Sequence, residues 1–309
     1  MAARVETISS TFIWRRVHSL MGLWLVLYLI EHLLVNSQAA LWIGDDGSGF
    51  VKMVDSLESL PYLQVIEIVF IAVPLAIHGV WGVKRALDAR LNSSRTDGSS
   101  PSMKYARNRA FTWQRLTSWI LLFGIIGHVV QMRFLDMPKK AKLNYEEQYF
   151  SRITMDDGLS TLAPRLGVTL YTREQIAALK AEDVAQKEGS AAEEKQKSKE
   201  RMKWLKTLDS FHLRENQVVA VAPLPGKAIL LTVRDTFKSP VMGILYTIFV
   251  LAAAFHAFNG FWTSLITWGA ILSYRSQKAM LPVGWFGMAL LSFLGLAAIW
   301  GSYWVNLRS

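Results

Sequence analysis

The sequence predicts an all-α integral membrane protein, with five transmembrane helices and a small extracytoplasmic insertion between helices three and four. Of the 309 residues, 51% are hydrophobic, including 12 Trp and 15 Phe, a composition typical of membrane proteins. Five apolar runs are long enough, at about 20 residues of 1.5 Å rise, to cross a hydrocarbon core about 30 Å thick. Basic residues cluster in alternate connections between these runs, as a multi-pass topology requires.

The five runs are predicted at residues 17–35, 63–83, 116–134, 242–262 with a helical extension to Trp268, and 283–305. The first run is not expected to be a removable signal peptide, because its apolar region is too long and no small-residue cleavage site follows it. We therefore divide the chain into membrane helices one to three (1–135), the insertion (136–240) and membrane helices four and five (241–309).

The charge distribution predicts the orientation of the chain. Arg15 and Arg16 precede the first run, and Arg275 and Lys278 lie in the fourth connection. The second connection is basic at Lys84, Arg85, Arg90, Arg95, Lys104, Arg107, Arg109 and Arg115, whereas the first is acidic at Asp45, Asp46, Asp55 and Glu58. The positive-inside rule then places the N-terminus in the cytoplasm and the C-terminus outside. The net charge of +10 is explained by topology and by a docking surface for an acidic partner, not by nucleic-acid binding.

The insertion is predicted to be a small extracytoplasmic subdomain without a catalytic motif. Its Ala/Glu/Lys-rich stretch at 173–206 indicates a solvated helix or a partly disordered arm. Residues 217–222 and 228–234 flank a Pro-Leu-Pro-Gly-Lys sequence, which predicts a β-hairpin. We expect His212 to be a surface or structural histidine.

The chain has no cysteine, so disulfides, iron–sulfur ligation, thiolate haem ligation and covalent haem attachment through C-x-x-C-H are excluded for this chain. Any redox centre needs other ligands. Four histidines lie deep inside apolar runs, where an ionisable side chain is energetically expensive and usually functional. They are His32, His78, His128 and His256.

The depths of these histidines sort them into two pairs. The first run leads outward from Arg16, so His32 lies about 24 Å along a helix, and His128 lies at a similar outer level on the third run. The second and fourth runs lead inward, which places His78 and His256 in the inner half. We call His32 and His128 the outer pair, and His78 and His256 the inner pair.

Two neutral imidazoles on facing helices can ligate a low-spin haem b from opposite faces. The two pairs therefore predict two non-covalent, bis-His haems b stacked across the bilayer. For any single histidine the alternatives are a hydrogen-bonded packing residue or a member of a proton relay. A weak internal repeat supports the pairing: Trp14-Arg-Arg-Val-His-Ser19 resembles Trp113-Gln-Arg-Leu-Thr-Ser118, and His78 and His256 both stand in His-x-x-x-Gly.

At these residues the chain resembles the five-helix, di-haem cytochrome b membrane-anchor subunits of succinate:quinone oxidoreductases (succinate dehydrogenase and fumarate reductase, complex II). The resemblance rests on Arg15-Arg-Val-His-Ser-Leu-Met-Gly22, the four membrane histidines, His256-Ala-Phe-Asn-Gly-Phe-Trp262 and Thr267-Trp-Gly269. It covers the five runs. The family's third connection is usually short, so the insertion is a departure, and it stays open whether it caps a quinone pocket or binds another protein.

The resemblance implies the same histidine pairing and a place in an electron path. Electrons would come from a flavoprotein and an iron–sulfur subunit on the cytoplasmic face and pass through both haems to quinone, for which we expect menaquinone. It also implies that haem propionates are bound by His18, Ser19 and Gln114 or Arg115; plain interfacial anchoring is the alternative. The chain would be one subunit of an enzyme in the bacterial cytoplasmic membrane.

Glu67 is the predicted quinone or proton residue. It precedes His78 by eleven residues, close to three helical turns, so an ideal helix places both on nearly the same face with Glu67 about 16 Å further out. Quinone reduction consumes protons, which a carboxylate can carry; a structural hydrogen bond is the alternative, and the one favoured for Glu31. Pro74 should free the backbone carbonyl of Phe70 and bend the helix, which would aim His78.

Two other functions remain open from the sequence. The chain could be the haem b anchor of another dehydrogenase, such as a formate dehydrogenase or hydrogenase. It could also be a proton-coupled transporter in which the histidines and Glu67 form the proton pathway. No G-x-G-x-x-G follows a strand, so this chain itself is not expected to bind a flavin.

Overall fold

The computed structural model describes residues 9–40, 45–88, 106–185 and 192–308. Arg90, Arg95 and Lys104 of the basic second connection lie outside these ranges. The chain forms two compact units. The first unit comprises Met1–Leu34, Tyr62–Ile126 and Thr247–Gly295, and the second unit comprises Val35–Pro61, Gly127–Tyr246 and Leu296–Ser309.

Within these described ranges, five helices are long and apolar enough to cross a membrane, which confirms the predicted fold class. They are Ser10–Ser37 (α1), Leu63–Asp88 (α3), Ala106–Val129 continued by Val130–Leu135 (α4), Pro240–Thr267 (α9), and the last span Tyr274–Asn306. The last span contains Tyr274–Ala279 (α10), Leu281–Leu296 (α11), a π-helical turn and Ser302–Arg308 (α12). Because α9 ends at Thr267, the expected helical extension stops one residue before Trp268.

Three of the spans contain a π-helical segment, in which i→i+5 hydrogen bonds replace the α-helical pattern. The segments are Ile68–Ala72, Val130–Leu135 and Ala297–Gly301. The first lies just before Pro74, whose ring removes a backbone donor. The carbonyl of Phe70 instead accepts a 2.6 Å hydrogen bond from Trp24 Nε1 on α1. The structure thus confirms that Pro74 leaves this carbonyl to another partner.

The helices of the first unit pack through a small apolar core. Leu33 on α1 meets Ala254 and Ala257 on α9, and Leu291 and Leu294 on α11. Small residues allow this close approach between membrane helices. Most other apolar side chains of the spans stay exposed in the isolated chain, as lipid-facing side chains do.

The second unit contains a four-stranded antiparallel sheet. Its strands are Lys139–Leu143 (β1), Glu146–Thr154 (β2), Thr169–Tyr171 (β3) and Gln217–Ala222 (β4), in the order β1-β2-β4-β3. Phe150 on β2 pairs with Val221 on β4, and its buried side chain anchors an apolar core. The unit also contains the helices Ser48–Glu58 (α2), Asp157–Leu166 (α5), Arg173–Ala185 (α6), Ala192–Asp209 (α7) and Pro225–Thr236 (α8).

The predicted β-hairpin at 217–234 is wrong in its second half. Residues 217–222 do form a strand, but 228–234 belong to α8, which begins with Pro225 at its first turn. Proline is preorganised for that position, so the Pro-Leu-Pro-Gly sequence starts a helix where we expected a turn. A short apolar run has no periodicity that separates a strand from a buried helix, and contacts with α2 and β2 decide for the helix.

The Ala/Glu/Lys-rich stretch forms α6 and α7, and residues 186–191 between them lie outside the described ranges. One face of α7 is not solvated: Trp204, Leu205 and Leu208 are buried in the core beside Phe150. These three residues supply the apolar face that the composition of the stretch concealed. His212 is exposed, as predicted.

Candidate haem-binding sites

Three histidines of the first unit lie side by side. The ring centres of His78 on α3 and His256 on α9 are 6.2 Å apart, with an interplanar angle of 82°. The ring of His18 on α1 stacks on His78 at 4.0 Å and 8°. Two imidazoles that bind one metal ion from opposite sides, each at about 2 Å, have ring centres about 6 Å apart. The structure therefore brings the inner pair to a spacing that suits one shared iron.

Hydrogen bonds orient both rings of the inner pair. Nδ1 of His78 donates to the backbone carbonyl of His18 at 3.1 Å. Nδ1 of His256 lies 3.3 Å from Thr117 Oγ1, whose own hydrogen points to the carbonyl of Trp113 at 2.7 Å. A histidine that donates from Nδ1 in this way presents Nε2 to a metal. The donor set is thus two neutral imidazole Nε2 atoms, which fits haem b.

A glycine lets α1 approach the ring of His78. A Cβ atom on Gly22 would lie 2.9 Å from His78 Cε1, closer than side chains tolerate. The glycines that follow the two inner histidines make looser contacts: a Cβ on Gly82 would lie 3.6 Å from His18, and one on Gly260 would lie 3.6 Å from Gln114. The repeated His-x-x-x-Gly pattern therefore matches ordinary helix packing, and the tight approach occurs at Gly22.

Two of the predicted propionate residues are His18, which belongs to this histidine cluster, and Ser19, which follows it on α1. Nδ1 of His18 is buried and has no hydrogen-bond partner among the described residues. Ser19 Oγ accepts from Trp268 Nε1 at 3.2 Å. A buried ring nitrogen without a partner is unusual, and an acidic group of a bound cofactor would satisfy it.

Gln114 and Arg115, the predicted propionate residues of α4, have other contacts in the chain. Gln114 Nε2 donates to the carbonyl of His256 at 3.2 Å, and its Oε1 accepts from Asn259 Nδ2 at 2.7 Å. Arg115 lies over the ring of Phe111 at 5.5 Å. Gln114 thus links α4 and α9 beside His256, and propionate binding by either residue stays a prediction.

Each histidine of the outer pair is hydrogen-bonded to a tyrosine. In the second unit, Nδ1 of His128 lies 3.2 Å from the hydroxyl of Tyr246, which donates to Gln131 Oε1 at 3.1 Å. In the first unit, Nδ1 of His32 lies 3.4 Å from the hydroxyl of Tyr28, one helical turn earlier. As in the inner pair, these contacts occupy Nδ1 and leave Nε2 available to a metal ion. The pairing of His32 with His128 rests on the similar membrane depth that the sequence predicts for them.

The structure changes the argument for Glu67. The π-helical segment Ile68–Ala72 lies between Glu67 and His78, and a π turn holds more residues than an α turn. The eleven-residue spacing therefore no longer places the two side chains on one face. Glu67 and the exposed Glu31 both lie close enough to Tyr28 for an electrostatic interaction with its hydroxyl.

Sequence reasoning missed the side chains that hydrogen-bond to three of the candidate histidines. Tyr28 precedes His32 by four residues, and this helical spacing could have revealed it. Thr117 stands in the repeated Trp-x-Arg-x-x-Ser motif, but nothing in the motif points to His256. Tyr246 is 118 residues from His128 and has no local signal.

Five apolar spans, four of which carry half-buried, oriented histidines, define a class, the helical membrane proteins that can ligate haem through imidazole. A comparison with known proteins is more specific. The chain is 26% identical over 289 residues to the succinate dehydrogenase cytochrome b558 subunit of Bacillus subtilis (strain 168), and the match covers 93% of this chain and 95% of that protein. This confirms the resemblance to the cytochrome b subunits of succinate:quinone oxidoreductases. No family model and no solved structure matches.

Proposed function

We propose that the chain anchors a succinate:quinone oxidoreductase in the membrane and conducts electrons through two bis-His haems b to quinone. The observation that carries this proposal is the inner pair. His78 and His256 come from different helices, and their ring centres are 6.2 Å apart. A hydrogen bond at Nδ1 orients each ring. Similarity over 93% of the chain to a succinate dehydrogenase cytochrome subunit supports the same function.

Bound haem supplies one-electron transfer. The residues of the chain hold and orient it: His78 and His256 ligate the inner iron, and His32 and His128 ligate the outer iron. His18, with its buried Nδ1 atom, and Ser19 bind propionates at the inner site, together with Gln114 or Arg115. The apolar spans exclude water from both sites and thereby lower the local dielectric constant, which strengthens each of these polar contacts.

At the outer level the chain reacts with quinone. Glu67 lies near the outer start of α3, and a carboxylate at that level can hydrogen-bond a quinone carbonyl or carry a proton to it. The quinone is menaquinone in our proposal. Electrons enter from the iron–sulfur subunit, which docks with its flavoprotein partner on the basic cytoplasmic face. The protein is a multi-pass protein of the bacterial cytoplasmic membrane.

An absorption spectrum with a partner assay tests this function. The complex purified from membranes should show a reduced low-spin haem band and two haems per chain, and succinate should reduce the haem through the co-purified flavoprotein. Absence of haem would refute the cytochrome proposal and favour a proton-coupled transporter. Haem that succinate fails to reduce, but formate or hydrogen does reduce, would identify the anchor of another dehydrogenase.

A further inference from the structure

The two proposed outer ligands share a feature that the inner ligands lack. Their Nδ1 atoms meet phenol hydroxyls, Tyr246 for His128 and Tyr28 for His32. The inner ligands instead meet the backbone carbonyl of His18 and the hydroxyl of Thr117. The oxygen that accepts from a ligating imidazole controls how basic that ligand is, so the two sites differ in the group that sets this property.

The contact at His128 is part of a directed chain of hydrogen bonds. The Tyr246 hydroxyl has one hydrogen, which it donates to Gln131 Oε1 at 3.1 Å. Its oxygen is therefore left to accept from Nδ1–H of His128 at 3.2 Å. Donation to Gln131 polarises the hydroxyl and makes its oxygen a better acceptor, since hydrogen bonds in a chain strengthen one another.

The ring of Tyr246 is held independently of its hydroxyl. It packs edge-on against His128 with ring centres 5.8 Å apart and against Phe237 at 5.3 Å. Gln131 lies in the π-helical segment Val130–Leu135 of α4, directly after the turn that carries His128. Removal of the hydroxyl alone should thus leave the apolar packing of α4 and α9 in place.

We propose that Tyr246, supported by Gln131, and Tyr28 are positioning residues that orient the outer haem ligands and lower the reduction potential of the outer haem through hydrogen bonds to Nδ1. This inference rests on the proposed function. An accepting oxygen increases the electron donation of the imidazole, which stabilises the ferric more than the ferrous iron. Loss of that oxygen raises the potential.

The test is a redox titration of the purified complex, followed by haem absorption and by electron paramagnetic resonance. Tyr246→Phe should raise the potential of one haem, with a three- to tenfold change in its equilibrium constant for reduction, or about 28–59 mV for a one-electron couple. Gln131→Leu should shift the same haem in the same direction by less. Tyr303→Phe, an equivalent change at a tyrosine whose ring packs on Trp300, should shift neither haem.

Tyr28→Phe separates this inference from the histidine pairing. If His32 and His128 share one haem, Tyr28→Phe raises the potential of the haem that Tyr246→Phe affects, and by less, because its contact is longer. If the two variants shift different haems, the pairing is wrong while the role of the tyrosines stands. If Tyr246→Phe and Tyr28→Phe keep both haems at wild-type potentials, the inference is overturned.

If Tyr246→Phe lost the outer haem, the potential of that haem could not be measured in this variant. Gln131→Leu, which retains the tyrosine, would then test the inference. A raised potential in Gln131→Leu supports the inference, and an unchanged potential refutes it. A wild-type protein without haem would refute the proposed function itself.

Discussion

Each of the four membrane histidines has its Nδ1 atom within hydrogen-bond distance of an oxygen. This uniform pattern is a property of single residues and their immediate neighbours. A histidine that served only as packing would have no reason to present the same ring nitrogen in every case. The pattern supports the proposal that all four ligate through Nε2.

The pairing predicts which haem each histidine controls. His78→Ala or His256→Ala should remove the inner haem and largely preserve the spectrum of the outer haem, because each substitution removes an axial ligand of one haem only. His32→Ala or His128→Ala should do the reverse. Haem quantitation and reduced-minus-oxidised spectra measure this, with the exposed His212→Ala as a control that loses neither haem. If all four variants lost the same haem, the pairing would be wrong.

Gly22 offers a sharper test of the inner site. Gly22→Ala introduces a methyl group 2.9 Å from His78 Cε1, so the ring must move away from its ligating position. We expect a severalfold loss of inner haem while the outer haem is retained. Gly79→Ala is the matched control, because a Cβ there meets no atom within 4 Å. Equal haem content in the two variants would contradict the close approach of α1 to His78.

At the scale of elements, Pro74 couples α3 to α1 through the backbone carbonyl of Phe70. Pro74 removes the donor that the Phe70 carbonyl would use, and Trp24 Nε1 replaces it at 2.6 Å. A carbonyl without a partner inside the membrane is costly. This contact links two helices that carry proposed haem ligands, and it follows from one proline.

A double-mutant cycle tests that coupling. Trp24→Phe should lower the free energy of unfolding by about 1 kcal/mol. In a Pro74→Ala background the cost should be smaller, because the substituted alanine restores the backbone donor for the carbonyl. Loss of the haem band during denaturant titration in detergent would report unfolding. Equal costs in both backgrounds would show that Trp24 acts through packing alone.

Helix α8 carries a buried guanidinium that is poorly compensated. Arg234 is 8% exposed, and the hydrogen bond that its guanidinium makes within the described ranges joins Nη2 to the carbonyl of Ala39 at 3.4 Å. Burial lowers its pKa, and Asp46, which partly offsets this, also pairs with Arg165 at 3.2 Å. Such a charge contributes little net stability.

The prediction is that Arg234→Met leaves the free energy of unfolding unchanged or raises it by about 1–4 kcal/mol. The methionine keeps the aliphatic packing of the arginine and removes the desolvation penalty. Thermal unfolding of the detergent-solubilised protein measures the change, with the more exposed Arg165→Met as a control close to wild type. A loss of several kcal/mol would mean that the guanidinium has a partner beyond those described.

At the scale of the whole molecule, the proposed electron path from the inner to the outer haem depends on how the chain is oriented in the membrane. The chain lacks cysteine, so single cysteines can report it without background. Lys199→Cys in the insertion should react with an impermeant maleimide in intact spheroplasts, whereas Arg275→Cys at the start of the last span should react only after lysis. Both side chains are exposed. The reverse labelling pattern would invert the topology, and the inner and outer sites with it.

The sequence by itself determined the class of the protein, the five spans and the four histidines, because hydropathy and the cost of a buried ionisable group are properties of local composition. It also predicted the Phe70 carbonyl freed by Pro74. It failed at α8, where a short apolar run takes its conformation from the elements it packs against.

Only the tertiary structure decided which groups meet. Tyr246 with His128, Thr117 with His256 and Gly22 with His78 are contacts between different helices, and no local pattern encodes them. The same holds for the π-helical segment that moves Glu67 off the face of His78. The physical reason is that hydrogen bonds and close packing between spans depend on the rotation and approach of each helix, which are set when the helices pack together.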